Sequence, residues 1–321
     1  MSSADVYLHS LSTALGEHDV DLTASWQAGR LCTDPTTLQQ HGFQRHRLAA
    51  DDTEALDLAL RACRPMGEAI ATSDVLVYAT ALPLNSYRRR ESQFAQSRDI
   101  KDLANFPASR LQAELGLERA AVVGLTQQAC TAMLGAIRLA RALLLAEPHL
   151  AQVLCVAADR FPPGARYEQA YSPVSDAACA GLVSRQPVGY RIIACHALSN
   201  GALAQASDDE MAGTHFAYAH QIIQETLDRA GLRMADIAWI VPQNTSRQVW
   251  QILGPLLQHP LERVALGTLA QAGHAISADN VLNLCDLEAS GKIKPGDRLL
   301  LFMASFGMNW QGLVLEKVGP A

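Results

Sequence analysis

Val123-Gly-Leu-Thr-Gln-Gln-Ala-Cys130 and Val264-Ala-Leu-Gly-Thr-Leu-Ala-Gln-Ala-Gly-His274 each run through apolar sequence to a chemically active side chain and then into a helical pattern. After Cys130 the helical spacing covers residues 130–146 and gives way to a strand-like run, Ala151-Gln-Val-Leu-Cys-Val-Ala-Ala. After His274 it covers residues 277–290 and gives way to Arg298-Leu-Leu-Leu-Phe-Met. The parallel extends upstream. A helical stretch over 53–63 precedes Asp74-Val-Leu-Val-Tyr-Ala-Thr, as one over 215–230 precedes Asp236-Ile-Ala-Trp-Ile-Val. Further strands are expected at Ala120-Ala-Val-Val-Gly-Leu, Ala180-Gly-Leu-Val-Ser, Arg191-Ile-Ile-Ala-Cys and Gly312-Leu-Val-Leu-Glu, with another helix over 247–257. Short apolar runs alternating with amphipathic helices predict an α/β protein. The repeated order predicts two halves, residues 1–185 and 186–321, related by a pseudo-twofold axis. Corresponding loops then meet at the junction, outside the strand ends, where open α/β sheets place their sites. Cys130 and His274 are thus expected to be neighbours.

Composition narrows the function classes. The chain has 321 residues, 49% of them hydrophobic, enough to bury a substantial core. Its formal charge of −6, from 26 basic and 32 acidic residues, argues against a nucleic-acid binder. The most basic run, Arg88-Arg89-Arg90, reads as a solvated surface. The first residues carry no basic segment followed by an apolar run, and no apolar stretch approaches the ~20 residues that span a bilayer. A cytoplasmic protein without membrane attachment is therefore expected. Seven cysteines without a C-x-x-C pair form neither a disulfide framework nor a metal site. Cys155 and Cys195 sit in apolar runs, where cysteine behaves as a small hydrophobe.

Cys130 differs because it follows a strand and opens a helix, whose positive N-terminal end favours a thiolate. Its plainer reading is a buried core cysteine. His274 can shuttle a proton, and Asp279, five positions on, can hold the other ring nitrogen. The plainer readings are a satisfied loop histidine and an acid at a helix start. In Ala304-Ser-Phe-Gly307-Met-Asn-Trp310, Gly307 permits a turn whose backbone N–H can face a substrate oxygen, or it is an ordinary strand-end glycine.

At these residues the chain resembles the ketoacyl synthase III family of condensing enzymes, over roughly residues 48–316. Tyr78-Ala-Thr-Ala, Pro107-Ala-Ser-Arg-Leu-Gln-Ala-Glu-Leu-Gly-Leu and Gln128-Ala-Cys130 resemble the family's strand, substrate-channel helix and nucleophile loop. Ser175-Asp-Ala-Ala-Cys-Ala-Gly-Leu-Val resembles its Gly-Asp-Gly-Ala strand start, and Gly307-Met-Asn-Trp310 its C-terminal turn. The resemblance implies a five-layered αβαβα thiolase fold and a homodimer. It implies an acyl group carried from a coenzyme A or acyl-carrier-protein thioester onto Cys130, with the backbone N–H groups of Cys130 and Gly307 as oxyanion hole. No resident cofactor or metal is implied. The family's usual Val-Pro-His-Gln-Ala-Asn and Gly-Asn-Thr motifs, whose histidine and asparagine stabilise an enolate, read here as Val241-Pro-Gln243-Asn244-Thr-Ser246 and Gly273-His274. Gln243 and Asn244 are then expected in the site wall, and Gln243 can donate a hydrogen bond but cannot carry a proton. Gly-His-x-x-x-x-Asp instead resembles a secondary-metabolism subgroup with a Cys-His-Asp triad, here Cys130, His274 and Asp279. These imply an acyltransferase forming a C–C, C–O or C–N bond. The alternatives are a non-catalytic partner subunit of a heteromeric synthase and a thioesterase. Trp26 does not match the family's adenine-stacking tryptophan, so a carrier protein stands beside coenzyme A as donor. Residues 84–106 are expected to form a lid or dimer-contact loop.

Overall fold

The apolar runs fold as nine strands of one sheet, the inner ones of each half buried on both faces: β1 Tyr7–Leu15, β2 Val75–Ala79, β3 Ala121–Leu125, β4 Gln152–Asp159, β5 Ala177–Ser184, β6 Tyr190–Ser199, β7 Trp239–Val241, β8 Arg298–Ser305 and β9 Asn309–Lys317. The structure, a computed structural model, describes residues 5–86 and 91–319. Arg88, Arg89 and Arg90, and with them part of the expected 84–106 lid, lie outside the described residues.

Each half carries the same strand order. The first is β3-β2-β4-β5-β1 and the second is β7-β8-β9-β6, with Val264 bridging Ile240 of β7 in parallel where the first half has β3. In both halves the outer pairings are parallel and the inner ones antiparallel. The halves join at one seam, where Tyr7 faces Arg191 and Leu8 faces Tyr190.

Six helices complete the layers: α1 Ala55–Cys63, α2 Pro107–Glu114, α3 Ala132–Ala146, α4 Asp208–Ala230, α5 Arg247–Leu257 and α6 Asp279–Ala289. α3 packs on β2, β4 and β5 and reaches β9, while α6 touches β1 and β5 as well as β7 and β8. Both helices therefore lie between the half-sheets. α1 and α2 cover the outer face of the first, and α4, packed on β6 and β9, covers the second with α5. The result is the five-layered αβαβα arrangement.

Strand parity explains the continuous apolar runs. Val75, Val77 and Ala79 face the central layer while Leu76 and Tyr78 face α1; Leu299, Leu301 and Met303 face the centre while Leu300 and Phe302 face α4 and α5. The stretch Ala129–Ala146 is long and apolar enough to cross a membrane, contrary to the sequence reading, but here it is the central helix with both neighbours in protein. Pro148 stops it. α4 begins at Asp208, seven residues ahead of the 215 expected from periodicity. A capping box starts it: Ser207 Oγ accepts from the Glu210 N–H, and the Ser207 N–H donates back to the Glu210 carboxylate.

The seam between halves needs a glycine. Gly189 has φ 73°, and a Cβ there would lie 2.5 Å from the Leu8 carbonyl oxygen. Gly189→Ala should therefore lower stability by about 2–4 kcal/mol. Gly291→Ala, also at positive φ but facing open space, should cost about 1–2 kcal/mol. Urea midpoints at unchanged m-value measure the difference.

Candidate active site

Cys130 sits in the three-residue helical turn Ala129–Thr131 that leads into α3. Two residues before it take left-handed backbone, Gln127 at φ 66° and Ala129 at φ 41°, so the chain turns sharply from β3 into the helix. The opposite half holds that turn. Ser305 Oγ donates to the Gln128 carbonyl (2.9 Å), and the Gln311 amide donates to Gln128 Oε1 (2.9 Å) and Thr131 Oγ1 (3.2 Å). Cys130 is buried and immediately precedes Thr131, the N-cap of α3. Other cysteines behave as apolar side chains: burial raises the fully buried Cys63 to about 12 and the half-buried Cys195 to about 11.

His274 comes from the second half, after the short helix Leu269–Ala272. Its N–H donates to the Pro173 carbonyl (2.8 Å), and its carbonyl accepts from the Ser175 N–H (2.9 Å). Gly273 makes this approach feasible, since a Cβ there would lie 2.4 Å from the Pro173 oxygen. With its backbone pinned, the ring lies in line between two partners. Nδ1 donates to Asp279 Oδ2 at 2.6 Å, and Nε2 lies 3.3 Å from the Cys130 sulfur. The Asp279 carboxylate also accepts the N–H groups of Ala275 (2.6 Å) and Asn244 (2.8 Å). Burial, the largest single influence, opposes a charge on His274. The Asp279 charge and the sulfur, with hydrogen bonds to both, outweigh it and hold the ring's pKa well above the ordinary histidine value.

Gln243 lines the same cavity. Its Oε1 accepts from the Ala304 N–H (3.0 Å), and its Nε2 lies 3.5 Å from His274 Nε2. Asn244 stands behind it, fully buried, donating through its amide to Thr268 Oγ1 and the Gly273 carbonyl. Its work is to hold the loop that presents His274. Gly307, at φ 93°, lies in the turn between β8 and β9, and its neighbours Phe306 and Met308 line the cavity. The cavity holds about 270 Å³, with Cys130, His274 and Gln243 at one end and Phe216, Ile252, Phe306 and Met308 forming apolar wall. α2 does not supply this wall. It borders a separate cleft with Tyr78 and Asn105, and α4 and α5 contribute to the wall of the Cys130 cavity.

The repeat pairs the site differently from the sequence reading. Ile276, like Ala129, has positive φ (51° against 41°) at the same distance ahead of its helix, which makes Ser277 the counterpart of Cys130. Ser277 Oγ donates to the Ala129 carbonyl (3.3 Å) and to Asp159 (3.4 Å), so the two helix starts abut. His274 reaches the sulfur from the segment preceding that start. His41 and His215 also line the cavity, and neither was singled out from sequence.

The raised pKa of His274 gives stability a definite pH sense. Its contribution is complete below the unfolded value of 6.5 and is lost as pH rises through the folded value. Asp279→Asn should remove it. The stability gap between wild type and variant, from urea unfolding, should be about 1–3 kcal/mol larger near pH 6 than near pH 10. A gap that is flat or grows towards alkaline pH would mean that His274 is neutral in the folded protein.

Comparison with known proteins follows the same lines. Residues 227–317 match the family described as 3-oxoacyl-(acyl-carrier-protein) synthase III C terminal. Beta-ketoacyl-(acyl-carrier-protein) synthase III of Coxiella burnetii is 33% identical over 96 residues, 30% of each chain. Synthase III 3 of Streptomyces coelicolor is 33% identical over 92 residues, 29% of this chain and 27% of its own. The chain thus aligns with about a third of the length of these curated relatives. Solved structures extend the likeness in fold over nearly the whole chain. The acyltransferase ChlB3 superposes with a TM-score of 0.80 at 21% identity, covering 99% of both chains. The Thermus thermophilus synthase III does so with a TM-score of 0.80 at 23% identity, covering 97% of this chain and 98% of its own. Residues 227–317 thus resemble the C-terminal part of ketoacyl synthase III, and nearly the whole chain shares the fold of those solved structures.

Proposed function

We propose that this protein is an acyltransferase that takes an acyl group from a thioester onto Cys130 and passes it to an oxygen, nitrogen or carbon nucleophile. One observation carries the reading: His274 Nε2 is 3.3 Å from the Cys130 sulfur while its Nδ1 is 2.6 Å from Asp279. A ring held protonated by Asp279 supports a thiolate beside it. The thiolate attacks the thioester carbonyl, and the oxyanion is met by the Cys130 N–H at the helix start and the Gly307 N–H in the turn. As the intermediate collapses, the departing thiolate takes the proton from His274 Nε2, leaving an acyl-enzyme and a neutral imidazole. That imidazole is the base for the second half: it takes the acceptor's proton as the acceptor attacks the acyl carbon, and Cys130 leaves as thiolate. Charge and proton return to their starting places.

The donor is a coenzyme A or acyl-carrier-protein thioester, with no resident cofactor. Transfer to oxygen or nitrogen fits these residues better than decarboxylative condensation. The position that would carry a second histidine holds Gln243, which can donate a neutral hydrogen bond through Nε2 but carries no proton to share with an enolate. The working assembly is a homodimer. β3 lies at a sheet edge with partly exposed apolar residues, and such an edge invites pairing.

Single-turnover kinetics test the assignment. His274→Ala should lower transfer about 10²–10⁴-fold. His274→Ala/Asp279→Ala should be little worse, because the two act as one unit. Gln243→Ala should cost less than either. Additive losses, or a Gln243→Ala effect as large as that of His274→Ala, would contradict the roles given.

A further inference from the structure

The cavity above Cys130 contains polar groups that no step of acyl transfer uses. Some are satisfied within the protein. Gln243 is engaged by Ala304, and Ser246 Oγ accepts from the Gln248 N–H (3.0 Å) as the cap of α5. Two buried nitrogens are not. His215 Nε2 and His41 Nδ1 are buried and have no hydrogen-bond partner among the described residues, yet both rings line this cavity. His215 lies on α4 with its ring edge-on to Phe216 (5.6 Å between centroids) and Phe302 (6.2 Å). Packed between two phenylalanines, it occupies a place where an apolar side chain would cost nothing. A buried polar atom left unpaired costs free energy, and here two such atoms belong to rings that line one cavity.

Resting on the acyltransferase reading, we infer that His215 recognises a hydroxyl or carbonyl substituent on the acyl group that Cys130 receives. Burial lowers the pKa of His215 to about 4, so the ring is neutral and offers a donor nitrogen or an acceptor nitrogen according to its tautomer. It can therefore meet either kind of oxygen. The wall beyond it, with Phe216, Phe306 and Met308, suits a hydrocarbon body. A plain alkyl chain would leave Nε2 unpaired, whereas an oxygenated one would satisfy it. Sites built to hydrogen-bond a substrate group discriminate strongly against the analogue that lacks it. His41 on the other wall offers a second unpaired nitrogen to the same occupant.

The test uses N-acetylcysteamine thioesters of hexanoic, 3-hydroxyhexanoic and 5-oxohexanoic acid, titrated calorimetrically into the Cys130→Ala protein. At least one oxygenated thioester should bind about tenfold or more tighter than hexanoyl. In Cys130→Ala/His215→Phe that ratio should fall to about one. In Cys130→Ala/His215→Gln, which keeps an amide donor, part of it should return. Hexanoyl binding as tightly as both oxygenated thioesters, or an unchanged ratio in the His215→Phe protein, would overturn the inference, as would no detectable binding of any of the three. Acylation of wild-type Cys130 by the same thioesters is scored separately by mass. A His215-dependent binding preference without acylation would count against the transfer reading alone.

Discussion

A carboxylate with no exposure to water, Asp279, organises the centre of this molecule. An isolated charge in such a place would cost several kcal/mol, so its neighbours must be donors. Three are present: His274 Nδ1 and the N–H groups of Ala275 and Asn244. Each fixes a different piece of chain. The ring bond sets the tautomer and plane of His274, the Ala275 bond tightens the turn into α6, and the Asn244 bond ties the loop after β7 to that turn. Asn283, on the next turn of α6, donates to the Pro242 carbonyl and to Asn244 Oδ1 and so locks the same loop from behind. Without the carboxylate, the ring would lose the charge that keeps it protonated against burial.

Duplicated architecture supplies the other constraint. Each half starts its central helix with a residue in left-handed backbone, Ala129 in one and Ile276 in the other. For an alanine or a β-branched residue that conformation is strained, and it persists only where the surroundings enforce it. Here each turn braces the other. Ser277 Oγ reaches the Ala129 carbonyl, and Ser305 and Gln311 of the second half hold Gln128 of the first. The two turns share this geometry and differ in chemistry: one presents a thiol to a cavity, and its mate presents a hydroxyl that is spent on the joint between them.

Most of the framework was legible in the sequence because both strand faces are buried, which turns Val75–Ala79 and Arg298–Ser305 into unbroken apolar runs. The contact of His274 with both Cys130 and Asp279 was legible for a local reason. Cys130 opens a helix, and Gly273 before His274 with Asp279 at the next helix start forms a short self-contained motif. Ser277 was missed because the repeat was counted from reactive side chains instead of backbone turns. His41 and His215 were missed because their role depends on where separate segments converge: one follows the short helix Pro35–Gln40 and the other lies inside α4. No spacing links them. That α2 borders a cleft apart from Cys130 was not legible either, since a resemblance in sequence does not reveal which face of a sheet a helix covers.

Everything said about chemistry rests on Cys130 carrying an acyl group. Intact-protein mass spectrometry after exposure to a panel of acyl thioesters, followed by peptide mapping, tests that most directly. The account predicts a mass gain equal to one acyl group, confined to the peptide containing Cys130 and absent in Cys130→Ala. Release of free acid with no adduct at any time, or an adduct that persists in Cys130→Ala, would contradict it.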